Sequence, residues 1–102
     1  RTPLHDAVIQ DYPGIVRILL NADADVDVMD QDKYTPLQYA AEKGNPLIVQ
    51  MLVDAKATLN VQDENNRTPL HLAAEHGHKD VIRVLLEDFR YHRVSWLPIV
   101  PE

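Results

Sequence analysis

Thr2-Pro3-Leu4-His5, Thr35-Pro36-Leu37-Gln38 and Thr68-Pro69-Leu70-His71 are one tetrad written three times, each copy 33 residues after the last. The correspondence continues past the tetrads. Ala7, Ala40 and Ala73 fall in register, as do Ile15, Ile48 and Val81, then Val16, Val49 and Ile82, then Leu19, Leu52 and Leu85. Gly44 and Gly77 align with each other, and Asp11 holds that place in the first copy. A fixed period of this length marks a stack of copies of one supersecondary unit, each leaning on its neighbours.

Local chemistry makes each unit a pair of short helices. Thr35 and Thr68 are placed as N-caps, and Pro36 and Pro69 follow at the first helical position, where a missing N–H costs nothing. Leu37, Ala40 and Ala41 then form one apolar stripe. Gly44 and Gly77 end the helices with a residue that accepts positive φ. Asn45-Pro46 starts a second helix by the same device, with Ile48, Val49, Met51 and Leu52 on its apolar face. The third copy uses Val81, Ile82, Leu85 and Leu86. Helices of two or three turns do not persist alone in water, so stacking must hold them. Ala7, Ala40, Ala41, Ala73 and Ala74 recur on the first helix, where a methyl group lets adjacent units approach closely.

A 33-residue period carrying T-P-L-H-x-A resembles the ankyrin repeat. The resemblance runs from Thr2 to Asp88 and implies an all-α solenoid of stacked helix-turn-helix units with inter-repeat β-turn fingers. The repeats fall at residues 1–30, 31–63 and 64–88, with an irregular tail at residues 89–102. The family ends its second helix with Gly-Ala, but here Asp23, Lys56 and Phe89 stand at the glycine position. Asp tolerates a left-handed cap moderately, Lys and Phe less well. The alanine remains as Ala24 and Ala57 and becomes Arg90. The tail holds the chain's only Phe, Trp and Ser, and both ends are abrupt, as in a chain cut from or degenerated from a longer array.

Composition narrows the function. Apolar residues make up 45% and charged residues 25%, with a formal charge of −6. An acidic chain is a poor match for nucleic acid or an anionic membrane and a better one for a basic partner. With no cysteine there is no disulfide framework, and no apolar run approaches a membrane span, so a cytoplasmic or nuclear setting is expected. Asp23-Ala24-Asp25-Val26-Asp27 imitates the opening of a calcium loop, but Val28 and Tyr34 stand where the turn glycine and closing glutamate belong. His76 and His78 flank Gly77 at a helix break and are expected to diverge. His5 and His71 belong to the tetrads, where the family's histidine fixes the helix start by hydrogen bonding and Gln38 can substitute. The single serine, Ser95, lacks any nucleophile context. Arg90 to Arg93 form too short a basic patch for nucleic acid. Neither a catalytic set, a metal site nor a cofactor is expected.

The remaining surface is the one the resemblance supplies. In the family, turns and first helices form a concave face that binds proteins. Carried over by position, this face comprises Gln31, Asp32, Tyr34, Tyr39, Glu42 and Lys43, then Glu64, Asn65, Arg67, Leu72, Glu75 and His76, with Asp6, Ile9 and Gln10 in the first repeat. Tyr34 and Tyr39 stand out as contact residues, since tyrosine offers a large area with few rotors to freeze. The other role for Tyr34 is packing on its neighbouring turn. Asn60, in the inter-repeat turn with Leu52 eight residues upstream, matches the family's asparagine substrate for an asparaginyl β-hydroxylase; holding turn backbone is its alternative role. Two functions remain open: a module that binds a protein or peptide, or a structural interior segment of a longer array. The apolar tail residues Phe89, Trp96, Leu97, Ile99 and Val100 are expected to cap the stack or to mediate self-association.

Overall fold

The structure, a computed structural model, describes residues 1–91, with side chains through Asp88. It contains six helices: α1 (Pro3–Ile9), α2 (Pro13–Asn21), α3 (Pro36–Lys43), α4 (Pro46–Asp54), α5 (Pro69–Glu75) and α6 (Lys79–Tyr91). Within each repeat the two helices pack antiparallel on one another. Across repeats α1, α3 and α5 form one row and α2, α4 and α6 a second. The described residues include no strand. The expected boundary between residues 88 and 89 falls inside α6, and residues 92–102, most of the tail, lie outside the described residues.

Each first helix starts on the same reciprocal device. The Thr2, Thr35 and Thr68 hydroxyls accept the backbone N–H three residues on, while the side chains of His5, Gln38 and His71 accept from the N-cap backbone. Each therefore satisfies two of the donors that a helix start leaves unpaired. The Asn45 side chain caps α4 by accepting from the N–H groups of Leu47 and Ile48.

Helices α2 and α4 end in a left-handed residue although no glycine is present, whereas α6 runs on through Phe89. Asp23 has φ 66° and Lys56 φ 72°. The following Ala24 and Ala57 N–H groups donate back to the Leu19 and Leu52 carbonyls, and this 6→1 bond closes the helix end. Asp11 takes φ 66° where the other repeats have Gly44 and Gly77. The cap geometry therefore persists without the family's preferred residue, at a local conformational cost.

One contiguous core runs through the stack, built from Leu4, Val16, Leu37, Ile48, Leu52, Leu72, Val81 and Leu85 with the first-helix alanines between them. Burying each leucine contributes about 1.5–3 kcal/mol. Ala40, Ala41 and Ala73 are fully enclosed in this core.

Candidate functional site

The inter-repeat turns are built on two buried aspartates. Asp30 Oδ1 accepts from the Asp32 and Tyr34 N–H groups at 2.9 and 3.0 Å. Asp63 Oδ1 accepts from Asn65 and Arg67 N–H, both at 2.9 Å. The turn backbone closes with Asp30 N–H on the Tyr34 carbonyl and Asp63 N–H on the Arg67 carbonyl, both at 3.0 Å. Lys33 and Asn66 sit at the left-handed corner of each turn, with φ 63° in both. Each finger is therefore held from its base, and its tip side chains are left to solvent.

A chain of aromatic contacts ties finger to finger and finger to helix. The Tyr34 hydroxyl donates to Asp63 Oδ2 of the next turn at 3.0 Å, and the Tyr39 hydroxyl donates to Asp30 Oδ2. The Tyr34 and Tyr39 ring centroids lie 5.0 Å apart, and the His5 ring meets Tyr39 edge-on at 5.8 Å. His5 Nδ1 serves the helix cap as acceptor, so Nε2 carries the proton and donates to the Tyr34 carbonyl at 2.8 Å. Arg67 reaches from its turn to Asp63 at 2.9 Å and to Glu75 on α5 at 2.8 Å. Turns and first helices therefore share one face of the molecule.

Electrostatics follow from these contacts. Burial raises the Asp63 carboxyl, but hydrogen bonds from Arg67, Tyr34 and Asn65 outweigh it and hold the group at about 2. Asp30 is also lowered, by Tyr39, Tyr34 and Asp32 acting against burial. Burial and the bond to Asp63 push the Tyr34 hydroxyl up to about 12, and burial with the bond to Asp30 raises Tyr39 as well. Both tyrosines therefore remain donors, and both aspartates charged acceptors, at neutral pH.

Gln31, Asp32, Lys43, Glu64, Asn65, Glu75 and His76 are exposed on this face, with Glu42 and Arg67 partly so. Tyr34 and Tyr39 are half-buried with both hydroxyls engaged inside the molecule, so their first role is to bind finger to finger. Leu72 does not belong to the surface. It is 0% exposed and packs in the core, because a leucine at this place on α5 turns inward where the longer Tyr39 on α3 reaches the turn. Asp30 and Asp63 escaped the sequence reading, although their recurrence at the 33-residue period was a visible signal.

The other singled-out residues also take places in the scaffold. Asp27 accepts from Thr58 N–H and the Thr58 hydroxyl, both at 2.8 Å, and so links consecutive inter-repeat turns. His76 and His78 do not diverge: their rings stack at 5.9 Å. Gly77, at φ 72°, returns the chain to the same side, His76 Nδ1 bonds the Leu72 carbonyl, and His78 Nε2 bonds the Glu42 carbonyl, each at 2.9 Å. Asn60 is exposed. Among the described residues, no group of three or more His, Asp or Glu side chains is arranged to hold a metal ion, and no helix is long and apolar enough to cross a membrane.

A family model for ankyrin repeats matches residues 4–94 in three copies. No curated protein matches the chain.

Proposed function

Because the chain belongs to the ankyrin-repeat family, whose members are generally non-enzymatic protein–protein interaction modules, we propose that it binds a partner protein or peptide along the face shared by its turns and first helices. The observation that carries this reading is the contrast within each finger. The base is immobilised by Asp30 or Asp63, and the tip residues Asp32, Glu64 and Asn65 stand exposed. A turn backbone held ready in this way loses little further entropy on binding. Arg67 is already paired with Asp63 and Glu75, and the exposed tips carry Asp32 and Glu64 beside Lys33; with an overall charge of −6, a basic partner is part of this proposal.

The test avoids Tyr34 and Tyr39, whose removal would loosen the fingers themselves. An Asp32→Lys/Glu64→Lys variant reverses two exposed charges and leaves the turn bonds in place. Proteins recovered from lysate by the wild type should be lost by this variant at unchanged melting temperature, and the interaction should weaken with added salt. Full retention of the partners would move the binding surface elsewhere. The structural-segment reading has one observation in its favour, the apolar residues left open at the two ends of the stack, and it predicts no partner for either protein.

Asn60 is proposed as a hydroxylation site on the strength of its exposed turn position. Intact-mass analysis after incubation with an asparaginyl β-hydroxylase should show one added oxygen, absent from Asn60→Ala. Self-association through the tail residues of 89–102 is a separate proposal, and deletion of that segment tests it.

A further inference from the structure

One place in the repeat changes character in the middle copy, and the change leaves a carboxylate without a cation. In the third repeat Arg67 stands in the finger and Glu75 lies eight residues on, along α5. The Arg67 guanidinium spans turn and helix: Nε meets Asp63 at 2.9 Å, and Nη1 meets Glu75 at 2.8 Å. One period earlier the same places hold Tyr34 and Glu42. Tyr34 brings no charge, and its one hydroxyl proton is already given to Asp63 of the next turn. Glu42 therefore has the setting of Glu75 without its partner.

Among the described residues no other cation fills the place. Arg1 holds the position of Tyr34 in the first repeat but pairs with Asp6 at 3.0 Å, and Arg67 is engaged with its own two carboxylates. Lys33 and Lys43 are exposed and make no ion pair among the described residues. Aromatic surface lies close by: the half-buried Tyr34 and Tyr39 rings are 5.0 Å apart between centroids and inclined at 49°. Burial and the bond to Asp63 raise the Tyr34 hydroxyl first, and the Glu42 charge adds to them, which sets that carboxylate near the ring. The exposed Asp32 acts on Tyr39 in the same way, after burial and Asp30. A cation arriving here meets both negative charge and aromatic faces.

We propose that the place beside Glu42 receives an arginine side chain of the bound partner, which stands over the middle repeat as Arg67 stands over the third. The inference rests on the reading of the turn-and-helix face as the binding surface and adds the side chain that this face selects. Arginine suits the place better than lysine for two reasons. Arg67 donates in two directions at once, from Nε and from Nη1, whereas an ammonium is a single point of charge. A planar guanidinium also lies flat against a tyrosine ring, with its charge over the π face. Glu42 accepts from the arginine, the Tyr34 and Tyr39 rings support it, and Asp32 adds charge that draws it in.

Amide chemical-shift titrations of the full chain test the assignment, with the blocked tripeptide acetyl-Gly-Arg-Gly-amide as probe. Two comparison peptides replace the arginine: lysine keeps the charge without the fork, and citrulline keeps the shape without the charge. The arginine peptide should shift the Tyr34, Tyr39 and Glu42 resonances in a saturable way. The lysine peptide should bind more weakly, and the citrulline peptide should leave those resonances in place. The Glu42 side chain makes no hydrogen bond or ion pair among the described residues, so Glu42→Gln should keep the melting temperature and weaken arginine binding about fivefold. Glu87→Gln, on α6, should leave binding unaltered. Equal binding of the lysine or citrulline peptide, or an affinity that Glu42→Gln leaves intact, would overturn the proposal. Its outcome is separable from that of Asp32→Lys/Glu64→Lys. Loss of lysate partners in that variant, with no shift from the arginine peptide, would leave the face as the binding surface and remove the arginine seat. Arginine binding that depends on Glu42, with all lysate partners retained, would uphold the seat and move the protein-binding surface elsewhere.

Discussion

Gln38 holds the cap position that His5 and His71 hold in the other repeats, and the exchange is incomplete. Its Oε1 accepts from Thr35 N–H at 2.8 Å, as a histidine Nδ1 would. Its Nε2 is buried and, among the described residues, has no partner, whereas His5 Nε2 reaches the next turn. An unsatisfied buried donor is destabilising. Gln38→His should therefore stabilise the protein by about 1 kcal/mol, through a bond to the Arg67 carbonyl, measured as a higher urea midpoint at unchanged slope. Lys56 presents a comparable case at the backbone. Its φ of 72° suits glycine, the side chain is exposed, and Lys56→Gly should raise stability by about 0.5–1 kcal/mol in the same assay. No gain in either melt would mean that the surrounding turn already relieves the cost.

At the scale of the element, the turns depend on charge more than the helices do. Asp63 holds two backbone N–H groups, the Tyr34 hydroxyl and the Arg67 guanidinium, and its carboxyl is lowered to about 2. A carboxyl lowered in the folded state contributes stability that is fully present above its unfolded value and is lost as pH falls through the folded one. Melts in acid should therefore show stability declining from about pH 4 toward pH 2. Asp63→Asn should be less stable at neutral pH and should flatten that decline. A wild-type acid profile as steep after the substitution would show that Asp63 does not carry it. The helices respond to packing instead: each has only two to four turns, and each first helix rests on a Thr-Pro start that fixes where it begins but not whether it persists.

For the molecule as a whole, burial is set by the number of neighbours. Leu37 lies in the middle repeat, fully enclosed, while Leu70 occupies the same position of the last repeat and is only half-buried. Leu37→Ala should cost about 2–5 kcal/mol, within reach of the whole stability of a domain this size. Leu70→Ala should cost clearly less in the same melt. Equal losses would mean that Leu70 is enclosed as fully as Leu37 in solution.

The 33-residue period, the Thr-Pro helix starts and the Gly44 and Gly77 stops were enough to specify six short helices and their stacking, because these are local instructions repeated from one unit to the next. The finger geometry was only half legible. Asp23 and Lys56 take the left-handed caps that glycine would take, since the 6→1 bonds and the buried alanines after them override local preference. Tertiary contact decided that Leu72 is enclosed where Tyr39 turns to its turn, that His78 reaches the Glu42 carbonyl, and that the Tyr34 hydroxyl meets Asp63 of the next turn. Those outcomes depend on residues about 30 positions away in the adjacent repeat, and periodicity aligns such residues without saying which way each side chain points.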